Sequence, residues 1–317
     1  MVEIELSLKI EKIAQKLELR QSVIAQFLKL VAAKKKYTSR DLIRKLGLPQ
    51  VHFYRLIAEF TDISEPRGKY VEIKKGLAEE VASYSKEALP EISKRDQKII
   101  KETIKKYQRD RPKPDRNLDQ FTATVATTVK RAVKLAKNGD LKGKSLAFLG
   151  DDDLVSVAVA LTKQCKKITV FEIDDRISKL IEQISEENGL AIEIIKQDLR
   201  QALDKKHINK YDLVFTDPPY TKEGVNIFLN QAIRLIRKSF LGRIYLCYGN
   251  SDRAREREIE IQKLILNHGL IIKTKLGRFN KYYGAESIGS QSSLYILDWT
   301  PGIKIVKSDC EEIYTNE

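Results

Sequence analysis

Apolar and polar positions repeat with two different periods along the second half of the chain. Short apolar runs, typical of buried strands, alternate with segments in which apolar residues recur every three or four positions, as on one face of a helix. The predicted strands are 145–149, 167–171, 191–194, 211–216 and 243–247, and the predicted helices are 124–137, 154–164, 175–188, 224–239 and 252–268. This order predicts an α/β domain with a doubly wound parallel sheet.

Two further apolar runs, 270–276 and 293–297, predict an antiparallel edge to this sheet. The residues between them, 277–292, are predicted to form a long loop that contains Tyr282, Tyr283, Gly284, Glu286 and Ser287. Loops of this length in compact domains often act as lids. We therefore expect the loop to cover a site.

Residues from about 20 to 75 have the pattern of a winged helix-turn-helix domain. A helix at 23–33 precedes a capping box at 38–41, a short helix that ends at Gly47, a third helix that begins at Pro49, and a wing hairpin at 63–73. The third helix is predicted to bury Val51, Tyr54, Leu56, Ile57 and Phe60. Its few basic residues favour a dimerisation or substrate-covering module over a DNA-binding one.

A helical connector at 76–102 and a segment rich in Arg, Lys and Pro at 105–116 predict a linker between two domains. We place the boundary near residue 110. The predicted domains are therefore a winged-helix-like domain with its connector, 1–110, and a catalytic domain with a carboxyl-terminal tail, 111–317.

Composition narrows the class of protein. With 317 residues, 42% hydrophobic and 32% charged, the chain suits a soluble globular protein, and it carries neither a membrane-length apolar run nor a secretory signal. We expect a cytoplasmic protein without membrane partners. Three widely spaced cysteines predict neither disulfides nor a zinc site, and the composition hints at a thermophile. The positive residues behind the net charge of +14 are dispersed along the chain. The net charge therefore describes the electric field far from the protein and not the local charge of a site.

A motif suited to chemistry on an amine follows the predicted strand 211–216. Asp217-Pro218-Pro219-Tyr220 places a carboxylate, two rigid prolines and an aromatic ring at the strand's carboxyl end, where open α/β sheets bind ligands. The two prolines have no N–H groups, so the motif offers mainly acceptors to an amino group.

Acidic residues also follow the neighbouring strands. Glu172 comes after the second strand, where a carboxylate accepts hydrogen bonds from ribose hydroxyls in nucleoside-binding folds, and Asp198 after the third is a candidate acceptor for an adenine amino group. Either residue alone would equally suit a helix cap. Taken together in this order they predict an adenosine pocket.

The turn after the first strand indicates which adenosine compound binds. S-Adenosylmethionine-dependent methyltransferases usually carry several glycines here, whereas this chain has Gly150 followed by Asp151, Asp152 and Asp153. Three aspartates would repel a carboxylate and attract an ammonium, and helix capping accounts for only one of them. The predicted co-substrate is therefore decarboxylated S-adenosylmethionine, with no permanently bound cofactor and no metal.

These motifs resemble those of the branched-chain polyamine synthases, the N(4)-bis(aminopropyl)spermidine synthases of thermophiles. The similarity covers the second domain and is carried by Leu118-Asp119-Gln120-Phe121, Leu149-Gly150-Asp151-Asp152-Asp153-Leu154, Thr216-Asp217-Pro218-Pro219-Tyr220-Thr221 and residues 283–293. The resemblance implies a Rossmann-like, methyltransferase-type domain and a homodimer. It also implies two aminopropyl transfers to the internal secondary amine of spermidine, with release of methylthioadenosine.

In this reaction an amine nitrogen attacks the carbon next to the sulfonium, and Asp217 is the predicted catalytic residue that accepts or steers the proton. Pro218, Pro219 and Tyr220 are expected to position the amine, and Asp119, Gln120, Tyr283 and Glu286 to complete the substrate site. The acidic tail, with Asp309, Glu311, Glu312 and Glu317, is more simply a solvated end than a substrate clamp.

An alternative from another class is an S-adenosylmethionine-dependent methyltransferase acting on an amino group of a nucleic-acid base. In that interpretation Tyr220 stacks on an extruded base, and the basic charge and winged helix bind the polynucleotide. The three aspartates argue against a nucleic-acid partner, because they would repel the methionine carboxylate and nearby phosphates. A regulator with a degraded enzyme domain is disfavoured because the motifs look intact.

Overall fold

The computed structural model describes residues 2–33, 36–67, 69–74, 76–79, 81–82, 91–249, 255–285, 289–308 and 313–315. The chain forms two compact units, one of Met1–Glu91 with Lys137–Gly139 and one of Ile92–Ala136 with Asp140–Glu317. The domain bounds 1–110 and 111–317 stay a prediction. Among the described residues, no helix is both long and apolar enough to cross a membrane.

In the part of the chain that the structure describes, the first unit includes four helices of eight or more residues and a small antiparallel sheet. The helices are α1 (Val2–Leu17), α2 (Gln21–Ala32), α3 (Ser39–Leu46) and α4 (Gln50–Ala58), and the strands are β1 (Tyr37–Thr38), β2 (Ser64–Arg67) and β3 (Tyr70–Ile73) in the order β1-β3-β2. The predicted capping box is confirmed, since Thr38 and Asp41 exchange side-chain-to-backbone hydrogen bonds, and Gly47 ends α3 in the left-handed conformation.

The predicted core of this unit is right only in part. Leu56 and Phe60 are fully buried, as is Phe53, which the sequence analysis did not name. Val51 and Tyr54, predicted to be buried, are 61% and 50% exposed. They lie on a different face of α4 from the buried stripe, because residues three or four apart share a face of a helix.

The second unit alternates helices and strands as predicted. Its helices are α5 (Lys94–Tyr107), α6 (Val125–Lys137), α7 (Val155–Ala160), α8 (Asp175–Asn188), α9 (Lys222–Leu235) and α10 (Arg255–Asn267). Its strands are β4 (Ser145–Leu149), β5 (Lys167–Glu172), β6 (Glu193–Lys196), β7 (Leu213–Thr216), β8 (Arg243–Gly249), β9 (Ile271–Lys281) and β10 (Gln291–Asp298).

These strands form one sheet in the order β6-β5-β4-β7-β8-β10-β9. The first five are parallel, and β10 runs antiparallel to both β8 and β9. β4 and β5 are buried along almost their whole length, as expected of strands covered by helices on both faces. The strand order reverses between β4 and β7, so a crevice opens at their carboxyl ends.

The helices predicted at 154–164 and 224–239 end earlier, at Ala160 and Leu235, and two predicted connections are also wrong. The segment 105–116 is not an extended linker from its start, because α5 continues to Tyr107 and buries Ile100, Ile104 and Tyr107. The loop predicted at 277–292 is shorter, because β9 continues to Lys281 and β10 begins at Gln291. The strand pairing shifts register between Ser292 and Leu294, and this irregularity breaks the alternation by which the sequence would have shown the extension.

Candidate active site

A cavity of about 440 Å³ lies where β4, β5 and β7 end. Its wall includes Gly150 and Asp152 after β4, Glu172 at the end of β5, and the whole segment Asp217 to Tyr220 after β7. The sheet therefore brings three of the predicted motifs to one place, because parallel strands have their carboxyl ends on the same edge.

The three consecutive aspartates have different environments. Asp151 caps α7 by accepting hydrogen bonds from the backbone N–H groups of Val155 and Ser156 at 2.8 and 3.0 Å. Asp153 accepts from the backbone N–H of Ala123 and from Arg131. Neither residue lines the cavity, so only Asp152 of the three faces it.

Of the three aspartates, Asp152 is the strongest candidate for a carboxylate that accepts a proton from a ligand or pairs with a charged ligand group. Within the described residues no hydrogen bond ends on its carboxylate. Burial, together with the neighbouring carboxylate of Asp153, holds the pKa of Asp152 well above its ordinary range, although Arg111 acts in the opposite direction.

Asp217 is held from two sides. Its Oδ2 accepts from Nη2 of Arg131 at 2.6 Å and from the Tyr282 hydroxyl at 2.7 Å, and its Oδ1 accepts from the Tyr220 hydroxyl at 3.2 Å. Burial raises the pKa of Asp217, although the Arg131 guanidinium opposes that shift. The carboxylate thus has one firmly bonded oxygen and one that is only weakly engaged.

An apolar and aromatic wall continues from Asp217. Pro218 and Pro219 are buried in the cavity wall, and the Tyr220 ring packs against the Tyr248 ring with centroids 5.2 Å apart. A Cβ atom on Gly249 would lie 3.3 Å from the Tyr220 ring, tighter than an ordinary contact. Gly249 therefore leaves room for the Tyr220 ring to pack against the end of β8.

Glu172 lies on the opposite side of the cavity and supports the turn after β4. Its Oε2 accepts from the backbone N–H of Asp151 at 2.8 Å, while its Oε1 accepts from the backbone N–H groups of Ile173 and Asp174. Burial raises the pKa of Glu172. Position 150 favours glycine, because its φ of +66° is in the left-handed region.

Asp198 does not line this cavity, whereas its neighbours Gln197 and Leu199 do. Both carboxylate oxygens of Asp198 instead accept hydrogen bonds from the side chain of Arg200. The structure thus gives Asp198 a local pairing role and brings Gln197 to the position that we expected the aspartate to occupy.

Asp119 and Gln120 both line the cavity, but each is already engaged. Asp119 accepts hydrogen bonds from the backbone N–H and the hydroxyl of Thr315. The buried Gln120 amide donates to Asp174 at 3.0 Å. These residues therefore order the cavity wall as well as line it.

The region between β9 and β10 differs from the prediction. Tyr282, not Tyr283, lines the cavity and is buried, whereas Tyr283 is 48% exposed. Glu286 and the tail residues Asp309, Glu311, Glu312 and Glu317 lie outside the described residues.

Arg131 is the main residue that the sequence analysis missed. It lies on α6 and is fully buried, with Nε donating to Asn280, Nη1 to Asp153, and Nη2 to Asp217 and Tyr282. A signal was present in the sequence: Arg131 stands three residues after Thr128 and four before Leu135, on the face that α6 buries.

The fold and this cavity define a Rossmann-like, methyltransferase-type α/β protein whose crevice carries carboxylates in place of the usual glycines. A family model described as the branched-chain polyamine synthase A C-terminal domain matches residues 99–317. The chain belongs to this family, which confirms the resemblance seen in the motifs.

Related proteins agree with this assignment. The chain is 39% identical over 212 residues to an uncharacterized protein of Methanocaldococcus jannaschii, an alignment that covers 67% of this chain and 53% of that protein. It is 37% identical over 183 residues to the N(4)-bis(aminopropyl)spermidine synthase of Thermococcus kodakarensis, covering 57% and 52%. The matches thus span about half the length of these curated relatives.

A solved structure shares the fold. The branched-chain polyamine synthase C9 mutein from Thermus thermophilus, in complex with N4-aminopropylspermidine and 5'-methylthioadenosine, matches with a TM-score of 0.60 at 19% identity. The match covers 98% of each chain.

The support of Gln120 by Asp174 is testable through stability. Burial alone would raise the pKa of Asp174, but hydrogen bonds from Arg176 and Gln120 lower it to about 2. A lowered pKa means stability that is present above the ordinary pKa and lost as the pH falls through the folded-state value. We expect Asp174→Asn to lower the free energy of unfolding by on the order of 1 kcal/mol at neutral pH, with the difference shrinking between about pH 4 and about pH 2.

Denaturant unfolding of wild type and variant across this pH range measures the effect. Asp175→Asn is the matched control, because Asp175 pairs with Lys196 at the surface and should change stability little. An Asp174→Asn difference that stayed constant with pH would contradict the assigned cause.

Proposed function

We propose that the chain is an aminopropyltransferase that moves the aminopropyl group of decarboxylated S-adenosylmethionine to the internal secondary amine of spermidine. A second transfer to the same nitrogen gives N(4)-bis(aminopropyl)spermidine. The observation that carries this proposal is that Asp152 and Asp217, from two separate motifs, face one cavity at the switch point of the sheet. The names and bound compounds of the relatives point to the same reaction.

The turn after β4 supports decarboxylated S-adenosylmethionine as the donor. Gly150 allows a ligand to approach the backbone, and Glu172 lies across the cavity where a nucleoside would be held. Asp152 then faces the amino-acid end of the donor. Its charge opposes a donor carboxylate and favours the ammonium of a decarboxylated donor.

The segment after β7 supports a polyamine as the acceptor. A polyamine presents ammonium groups joined by short apolar chains, and this part of the wall supplies a carboxylate oxygen of Asp217 beside Pro218, Pro219 and the Tyr220 ring. Aromatic rings attract cations through their faces. Tyr283 and Glu286 remain proposed contacts for the distal ammonium groups.

The chemistry is an in-line displacement at carbon. The lone pair of the acceptor nitrogen forms a new C–N bond, the C–S bond breaks, and its electrons pass to the sulfonium, which leaves as the neutral thioether methylthioadenosine. In the first transfer the secondary amine also loses its proton. In the second transfer a tertiary amine attacks, no proton leaves, and the product is a quaternary ammonium.

Two carboxylates divide this work in the proposed mechanism. Asp152 is the proposed acceptor of the proton in the first transfer, because it faces the cavity and no hydrogen bond within the described residues ends on its carboxylate. Asp217, bonded to Arg131, stays ionised, orients the nitrogen and stabilises the cation that develops in both transfers.

The first unit is proposed to be a winged-helix domain, and the order of its helices and strands supports that reading. Val51 and Tyr54 stand out on α4, the helix that would read DNA. These apolar groups favour a protein contact, such as one within a homodimer, over phosphate contacts. We also propose a cytoplasmic location, which suits the free thiols Cys165 and Cys247.

The decisive experiment supplies the purified protein with decarboxylated S-adenosylmethionine and spermidine at elevated temperature. We expect methylthioadenosine to be released and the polyamine to gain the mass of one and then two aminopropyl groups. Mass spectrometry measures both products. Absence of transfer, together with methyl transfer from intact S-adenosylmethionine to DNA or RNA, would establish the alternative methyltransferase instead.

Donor selection is tested with Asp152→Asn. Removing the charge should weaken the binding of decarboxylated S-adenosylmethionine about tenfold, a change of about 1.4 kcal/mol, and reduce the discrimination against intact S-adenosylmethionine. Calorimetry measures both affinities, and the neutral product methylthioadenosine is the control ligand whose affinity should not change. An unaltered preference between the two donors would count against charge selection.

The role of Asp217 is tested with Asp217→Asn, which keeps the shape of the side chain. We expect methylthioadenosine binding to persist while turnover falls at least about 100-fold, since both transfers lose the charge that stabilises the developing cation. Single-turnover rates for each of the two additions provide the measurement. A folded variant with wild-type rates would remove Asp217 from the mechanism.

A further inference from the structure

We propose that Arg131 is a positioning residue that keeps Asp217 ionised and turns one of its oxygens toward the polyamine. This inference rests on the function proposed above and extends it to a residue that does not line the cavity. Arg131 thereby acts on the substrate only through the carboxylate.

The geometry of the guanidinium fixes Asp217. Nη2 of Arg131 donates to Oδ2 at 2.6 Å, and the Tyr282 hydroxyl donates to the same oxygen at 2.7 Å. Two strong donors on Oδ2 leave Oδ1, whose partner among the described residues is the Tyr220 hydroxyl at 3.2 Å, as the oxygen available to an incoming amine.

The same guanidinium is held rigidly by its other partners. Nη1 donates to Asp153 at 2.5 Å, and Nε donates to Asn280 at 2.9 Å. Asn280 is itself fixed by donating to Ser292 at 2.8 Å. A planar fork with this many partners cannot rotate away from Asp217.

The charges around Asp217 explain why a cation is needed. Asp152 and Asp153 face it from the turn after β4, and Cys247, Tyr282 and Tyr220 face it from β8, the end of β9 and its own loop. Among the described residues, Arg131 on α6 is the cation in direct contact with it, while Arg111 lies 3.3 Å from Asp153. Without Arg131, buried carboxylates so close together would take up protons.

A protonated Asp217 would be a poor partner for a polyamine. The neutral acid would lose its attraction for an ammonium and would offer a hydrogen-bond donor to an amine that itself needs an acceptor. Loss of Arg131 should therefore move the pH at which spermidine binding fails, and not only weaken the fold.

The experiment measures spermidine binding by calorimetry on protein saturated with methylthioadenosine, from about pH 4 to about pH 9. We expect Arg131→Gln to lose affinity at least about tenfold at neutral pH and to lose binding at least about one pH unit higher than wild type. Arg131→Lys keeps the charge, so its binding should fail at the wild-type pH. A shift in Arg131→Lys as large as that in Arg131→Gln would overturn the proposal.

A double variant separates this role from simple neutralisation of Asp153. Arg131→Gln with Asp153→Asn removes one cation and one carboxylate, so the buried charge balance of that pair is restored and the protein should regain stability. Asp217 still lacks its partner, so the shifted pH dependence of spermidine binding should remain. Recovery of both stability and the wild-type pH dependence would show that Arg131 is only a structural counterion.

A readout without substrate distinguishes failure of this proposal from failure of the proposed function. A carboxyl whose pKa is raised by folding contributes stability at low pH that is lost as the pH rises through the folded-state value. Arg131→Gln should therefore approach wild-type stability in acid and fall further below it toward neutral pH. Wild-type protein that binds no spermidine would reject the polyamine function, whereas a pH-independent stability difference would reject the role of Arg131.

Discussion

Burying several carboxylates at the end of one sheet is the constraint on which this site depends. Asp151, Asp153 and Glu172 are all removed from water, so each needs a donor that replaces its lost hydration. The N-terminus of α7 and the backbone around Glu172 supply part of this compensation. For Asp153 it comes from Arg131, Arg111 and the backbone N–H of Ala123. Asp152 and Asp217 then face the cavity, and the proposed attraction of the crevice for cations depends on these two carboxylates.

The three aspartates of the turn after β4 have different roles because of the backbone geometry of that turn. Consecutive residues in a turn point in different directions, so three identical side chains in sequence meet three environments. Asp151 caps α7, Asp153 pairs with Arg131, and Asp152 lines the cavity. The acidic motif is therefore partly scaffold and partly site, and composition alone cannot separate the two.

The periodic pattern predicted the parallel sheet well, because strands buried on both faces and helices of 3.6-residue period leave distinct signals. The motifs after β4, β5 and β7 were brought together because the topology of such sheets is nearly fixed. Contacts between side chains that are distant in the sequence were not predicted. Tyr282 entered the cavity in place of Tyr283 because β9 extends past an irregularity, and Arg131 is invisible to a search for motifs because its partners lie in other segments.

The four partners of the Arg131 guanidinium come from the turn after β4, the loop after β7, the distal part of β9 and the residue directly after β9. The arginine can be buried only when all of these segments are in place, so the site forms at the same step as the long-range pairing of the sheet. Such non-local contacts form late and cooperatively. In a partly folded chain Arg131 would lack some of these partners, so the geometry of the site would be absent. The site is therefore expected to form only when the native sheet topology forms.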